Sequence, residues 1–448
     1  MIMKTAINFS EVSMDYQEYM RIRDERTREF MKDRFGLFIH WGLYAIPARG
    51  EWYMTNHQIP RTEYEKYAEE WNPYHFDAKE WAKLAKEAGM KYAVITTKHH
   101  DGFCLFDSKL TDYKSTNTPF GRDIIGEFVD AFRAEGLKVG FYYSLLDWHH
   151  PDYPVKGDQY HPERNHEGLN ENEGNFSRYL DYLHGQVEEL MSNYGKIDLL
   201  WFDFSYGDKF GEAWRGTELL DMIRSKQPDI IVNGRLEGSG ETHGSILSDE
   251  PSIFSGDFAN PEMIIPPAGM TTDSGRVVPW EACLTINNSW GYNAWDRSFK
   301  SSEQLVRKLV ECVSKNGNML LNVGPNAKGE IQNEQKQVLK EIGEWMHNNS
   351  DSIYGCAASD LEKPEWGRFT QKGNTIYAHI FEEPIGPVII QNFDKKIKKI
   401  RRVRDGLELH NNKPWNAANG YDQHVFIDYV YTDELDKIDS VIAIEVEE

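Results

Sequence analysis

Three times in the first half of the chain, an amphipathic helical stretch stops at a glycine and gives way within about three residues to a short apolar run. Trp81, Leu84, Ala85 and Ala88 share one helical face before Gly89, and residues 92–97 follow as a strand. Ile124, Ile125, Phe128, Val129 and Phe132 form the next stripe, which Gly136 ends before a strand at 137–144. A third copy runs from Phe176 through Leu190 to Gly195, followed by 197–203. Strands so continuously apolar are covered on both faces, which calls for a parallel sheet clothed in helices. Runs at 35–40, 229–235, 282–287 and 319–323, with a less clear one at 246–254, bring the strand count to eight. The series predicts a TIM-like (β/α)8 barrel, with an open doubly wound sheet as the other arrangement it allows.

After about residue 350 the helical stripes cease, and residues 374–381, 387–393, 397–403, 424–429 and 441–446 read as strands between polar turns. The expected organisation is a catalytic barrel over 1–350 and an antiparallel β-sandwich over 351–448. The basic run 395–404 inside the second unit reads as a solvated strand face.

A net charge of −22 argues against nucleic acid and anionic membrane surfaces as partners and favours an uncharged substrate. The 23 Tyr, 13 Trp and 15 His supply groups that stack on sugar rings or bond hydroxyls, though core packing would use them equally well. Cys104, Cys283, Cys312 and Cys356 are scattered without a CxxC pair, as expected of buried free thiols. No run approaches the roughly 20 apolar residues of a membrane helix, and the amino-terminal stretch soon meets Glu11, Asp15 and Glu18. A cytoplasmic location is expected for the chain as given, or a periplasmic or secreted one if a leader has been removed. Oligomeric state is not legible.

Chemistry in a parallel barrel gathers where strands end. The residues there are His40 and Trp41, His99 with His100 and Asp101, Tyr142 and Tyr143, Trp201 with Asp203, Asn233 with Arg235, and 288–292. Nearly every strand thus finishes in a group able to contact a polyol. Asp203 closes an apolar run, and a carboxylate there must be hydrogen-bonded, paired or functional. Adjacent His99 and His100 point to opposite faces of a strand, and no HExxH or HxH spacing accompanies them. Hydroxyl recognition therefore outweighs metal ligation, and no metal or cofactor is expected. The glycines at 234, 238 and 240 precede no helix pattern, so a phosphate loop is not expected.

At these residues the sequence resembles glycoside hydrolase family 29, the α-L-fucosidases. The matching segments are FGLFIHWG (35–42), EWY (51–53), TTKHHDGF (96–103), GFYYS (140–144), LWFD (200–203), VNGR (232–235), WEAC (280–283), SWGY (289–292) and NMLLNVGP (318–325). The resemblance implies retaining removal of terminal α-L-fucose from fucosylated glycans by double displacement. It places the nucleophile at Asp203 and substrate-binding roles at His40, Glu51, Trp52, His99, His100, Tyr142, Trp201 and Arg235. For the acid/base it points to Glu262 in GDFANPE (256–262), with Glu281 as rival and Asp257 and Glu250 as outside candidates. The VNGR segment is more similar to the subgroup with relaxed leaving-group demands, and the loop 151–173 is expected to shape that preference. A catalytically silent fucose-binding protein and a metal-dependent hydrolase are the alternatives.

Overall fold

A computed structural model describes residues 15–239, 243–415, 417, 421–428 and 435–447. Glu11, Gly240 and the last residue of the expected strand 424–429 lie outside them. The helices that repeat along the first unit are α1 (Tyr16–Asp33), α2 (Ala78–Glu87), α3 (Ile124–Ala134), α4 (Phe176–Asn193), α5 (Gly216–Lys226), α6 (Ser302–Val313) and α7 (Asn333–Asn349). Between them run β1 (Phe35–Ile39), β2 (Tyr92–Lys98), β3 (Lys138–Ser144), β4 (Leu199–Asp203), β5 (Ile231–Val232), β6 (Trp280–Thr285) and β7 (Gly317–Val323).

The local signals do what their chemistry demands. Asp77 caps α2 by accepting from the Lys79 and Glu80 amides, Asp123 caps α3 from Gly126, and Ser301 with Gln304 forms a capping box on α6. Gly89, Gly136 and Gly195 take the positive φ that lets each chain leave its helix. The strands form one curled parallel sheet in the order β5-β4-β3-β2-β1-β7-β6. Six of the seven, all but β3, are buried along their whole length, and in β3 only Lys138 is partly exposed. Strands of this kind have apolar cover on both faces, which is why they read as continuous rather than alternating.

The expected strand at 246–254 is corrected by the structure. Those residues make two short 3-10 turns, Gly244–Leu247 and Ile253–Ser255, because Pro251 and the polar 248–250 separate the apolar pairs. The gap between β5 and β6 is instead crossed by residues 257–263. Phe258 bridges Asn233 in parallel, Ala259 bridges Trp280, and Glu262 bridges Cys283. Gly256 starts this segment at φ 66°, where a Cβ would stand 2.2 Å from the Asn233 carbonyl oxygen.

Helix α1 closes the amino-terminal end of the sheet. Its Phe30 ring meets Tyr92 at 5.4 Å and Phe258 at 4.9 Å, and Arg26 pairs with the buried Asp257 at 3.2 Å. The sequence reading did not mark this helix.

Beyond α7 the chain is antiparallel, as expected. Its strands are β8 (Ala357–Ala358), β9 (Gly367–Lys372), β10 (Thr375–Ile380), β11 (Val388–Ile390), β12 (Ile397–Arg402), β13 (Glu408–Leu409), β14 (Val425–Ile427) and β15 (Ser440–Val446). They form a six-stranded sheet, β13-β12-β15-β10-β9-β8, and a two-stranded sheet, β11-β14. Ile376, Ile442 and Ile444 of the larger sheet share a core with Val388, Ile390 and Ile427 of the smaller. Lys398 and Lys399 of the basic run are exposed. The four cysteines are buried and free. Among the described residues no helix is long and apolar enough to cross a membrane.

Candidate active site

The carboxyl ends of the strands open into a cavity of about 890 Å³. Asp203, the last residue of β4, stands on its floor and is buried. Three donors converge on it. Arg235 Nη1 gives to Oδ1 at 2.7 Å, the Phe204 amide gives to Oδ1 at 2.9 Å, and the Tyr142 hydroxyl gives to Oδ2 at 3.0 Å. Phe204 reaches this position with φ 76°, a conformation few non-glycine residues adopt, so backbone strain is spent aiming an N–H at the carboxylate.

Arg235 sits on the short turn Gly234–Leu236 directly after β5 and serves two acids. While Nη1 holds Asp203, Nη2 donates to Glu262 Oε2 at 2.7 Å. Burial opposes the guanidinium charge, but the two carboxylates more than reverse this and raise its pKa. Burial pushes Asp203 above the ordinary carboxylate range and the Glu262 charge adds to that, while Arg235 and Tyr142 oppose both. Glu262 is the more open acid, with its side chain 37% exposed at the end of the bridging segment.

The other expected residues surround this pair. His40 follows β1, and burial lowers its pKa to about 4, so the ring is neutral. Asn322 gives its amide N–H to the Trp290 carbonyl at 2.8 Å and so turns its oxygen to His40 Nδ1 at 2.7 Å. His40 therefore carries its proton on Nδ1 and offers Nε2 as an acceptor. In neutral His99, Nδ1 accepts from the His100 amide at 3.0 Å, which leaves the proton on Nε2, 3.3 Å from the Tyr142 hydroxyl. The relay His99 to Tyr142 to Asp203 fixes the direction of the tyrosine proton. Glu51 is buried, accepts from the Gly291 amide at 2.8 Å, and has its pKa raised by burial to about 7. Trp52 forms a side wall, and Trp201 lies under the Arg235 guanidinium at 4.5 Å.

Two expected residues fall outside the cavity lining. His100 turns away from His99, stacks on Trp148 at 4.0 Å and backs Trp52 at 5.0 Å, and among the described residues neither of its ring nitrogens has a hydrogen-bond partner. Glu281 is fully buried in β6 below the cavity, bonded to Tyr92 and Trp201. Of the outside candidates, Asp257 pairs with Arg224 at 2.8 Å and with Arg26, a structural position, and Glu250 is not a lining residue. Among the described residues no cluster of His, Cys, Asp and Glu could hold a metal ion.

The sequence reading missed the outer wall. Gln159, Tyr160 and Arg164 come from the loop expected to shape leaving-group preference, and Tyr206 and Phe210 from the segment after β4. Arg164 pins the loop by bonding Thr55 Oγ1 at 2.9 Å and the His161 carbonyl at 2.8 Å. Such loop residues carry no periodic signal.

Two carboxyl groups shared by one arginine, in an aromatic and histidine-lined cavity over the strand ends, are the groups that a hydrolase of the sugar-cleaving class requires. The comparisons carry this further. A family model described as alpha-L-fucosidase matches residues 5–351. An alpha-L-fucosidase of Dictyostelium discoideum is 30% identical over 393 residues, 80% of this chain and 78% of that protein. Among solved structures, alpha-L-fucosidase isoenzyme 1 from Paenibacillus thiaminolyticus is 56% identical with a TM-score of 0.92, covering 95% of this chain and 100% of that one. A family 29 alpha-L-fucosidase from Bacteroides thetaiotaomicron, solved as a trapped covalent intermediate with 2-fluoro-fucosyl fluoride, is 31% identical with a TM-score of 0.81, covering 95% and 97%. This chain belongs to the alpha-L-fucosidase family.

Proposed function

We propose that the protein is a retaining exo-α-L-fucosidase that releases terminal α-L-fucose from fucosylated glycans, with Asp203 as nucleophile and Glu262 as acid/base. The observation that carries this reading is the single Arg235 guanidinium binding both carboxyl groups at 2.7 Å. Its two terminal nitrogens are close neighbours, which suits the carboxyl spacing of about 5–5.5 Å used in retaining enzymes. The trapped covalent intermediate of the similar Bacteroides enzyme supports the same route.

Asp203 attacks the anomeric carbon as the bond to the leaving oxygen breaks, and Glu262 gives that oxygen its proton. The products of this step are a fucosyl ester on Asp203 and a free alcohol. Glu262, now ionised, takes a proton from water as the water attacks the same carbon and expels Asp203. Buried donors aimed at Asp203 are already oriented, so they cost no reorganisation as charge moves. His40 Nε2, Glu51 and Arg235 are the hydroxyl ligands, His99 lines the same wall while orienting Tyr142, and Trp52 and Trp201 face the apolar side of the sugar. His100 acts through Trp52, whose ring it backs at 5.0 Å, and not by touching the sugar.

The bridges made by residues 257–263 support closure of the sheet as an eight-staved barrel over 1–350. The shared core of the two antiparallel sheets supports a sandwich over 351–448.

The test is kinetic. Asp203→Ala should all but abolish hydrolysis of an aryl α-L-fucoside while fucose still binds. Glu262→Ala should slow substrates with poor leaving groups most and be rescued by azide. Substantial activity in Asp203→Ala would sink the assignment, and normal turnover in Glu262→Ala would move the proton-transfer role elsewhere.

A further inference from the structure

Glu281 is a carboxyl group that the mechanism does not use, in a place where burying one is costly. It projects from β6 beneath the cavity, is fully buried, and is not a lining residue. Its Oε1 accepts from the Trp201 indole N–H at 3.3 Å and its Oε2 from the Tyr92 hydroxyl. Indole has a single polar atom, a donor, so this bond anchors the one end of Trp201 that can be anchored.

The ring held in this way underlies the reacting groups. Arg235 Cζ lies 4.5 Å over it, and Tyr142 stacks on it at 5.8 Å with 25° between the planes. Arg235 and Tyr142 are the two side chains that donate to Asp203, and Arg235 also holds Glu262.

We propose that Glu281 is a positioning residue for the reaction, anchoring the Trp201 indole so that Arg235 and Tyr142 hold Asp203 and Glu262 in reacting geometry. This rests on the fucosidase reading of the site. Glu281 lies out of reach of a leaving oxygen because it is the second residue of β6, toward the amino-terminal end of the sheet, with the cavity-lining Trp201 bonded above it.

In the full-length protein, Glu281→Leu keeps the side-chain bulk and removes both acceptors, whereas a Gln would still accept from the indole N–H. Turnover of an aryl α-L-fucoside should fall about ten- to hundredfold, the scale of a small misplacement of reacting groups. The loss should be equal for good and poor leaving groups and unaffected by azide. Trp201→Phe, which keeps a flat ring without the N–H, should lower kcat similarly. The double variant should be no worse than the poorer single one, because both cut the same connection. Tyr92→Phe should give a smaller loss of the same kind.

Unchanged kcat in Glu281→Leu overturns the proposal, as do additive losses in the double variant. A loss confined to poor leaving groups and restored by azide overturns it too, and makes Glu281 the proton donor. Should Glu281→Leu fail to fold, unchanged kcat in both Trp201→Phe and Tyr92→Phe overturns it. A wild-type protein inactive on the fucoside would instead overturn the reading of the site itself.

Discussion

Asp203 shows how much a single side chain can depend on its donors. Burial raises its pKa, and the Tyr142 hydroxyl is one of the groups that oppose the rise. Removing that hydroxyl in Tyr142→Phe should cost about ten- to hundredfold in kcat, the worth of one hydrogen bond to a charged group. The acid limb of the pH–rate profile should move to higher pH, because a weaker hold on the carboxylate lets it protonate sooner; an unmoved limb would contradict this. Glu281 gives a second prediction, in stability. Burial raises its pKa from 4.5 to about 7, so between those values the folded state binds more protons than the unfolded one. Its contribution is fully present below pH 4.5 and is lost as pH rises through about 7. Relative to Glu281→Gln, the wild-type denaturation midpoint should therefore drop across that window, and a constant difference would count against the shift. Asp203 and the residues at the other strand ends were legible in the sequence because each interrupts an apolar run with a polar or aromatic group. Tyr160, Arg164 and Phe210 were not, since their places depend on where long loops are pinned.

At the scale of elements, the helix–glycine–strand units were readable because capping, left-handed glycines and continuous burial are local or short-range effects. The segment that carries Glu262 was not. Residues 257–263 contain Asp257, Asn260 and Pro261, too polar and too broken to resemble a buried strand, whereas 246–254 has the apolar residues but also a proline. What makes 257–263 bridge is its setting: β5 on one side, β6 on the other, and Arg224 and Arg26 on Asp257. Its start is the weak point. Gly256→Ala places a Cβ against the Asn233 carbonyl and, at φ 66° and ψ −163°, in an essentially glycine-only backbone region that costs other residues about 1–3 kcal/mol. The variant should lose at least that much stability in urea titration and also lose turnover, because moving the segment moves Glu262. Full activity in a destabilised Gly256→Ala protein would separate the turn from the site.

Across the whole molecule, the two units share more than a linker. Tyr377, Val441 and Ala443 of the antiparallel part pack into the core of the parallel part. Arg307 of α6 donates to the Ile438 and Phe381 carbonyls, and Trp345 of α7 donates to the Asp439 carbonyl. His379 and Asp439, both fully buried, pair at 2.6 Å within this contact. Calorimetry should therefore record one cooperative unfolding transition, and two resolved transitions would show that the units are energetically separate. The change from helical to antiparallel periodicity marked both units in the sequence, but their interlock rests on contacts between residues far apart in the chain. Helix α1 has a consequence at this scale as well. With the amino-terminal end of the sheet covered by Phe30, arrivals and departures share the opening at the carboxyl ends of the strands. Water reaches the fucosyl ester along the path the alcohol has just left. The fate of the ester is thus a queueing problem: an alcohol lingering at the mouth takes the fucose back, or a different one receives it, and hydrolysis proceeds when the doorway clears.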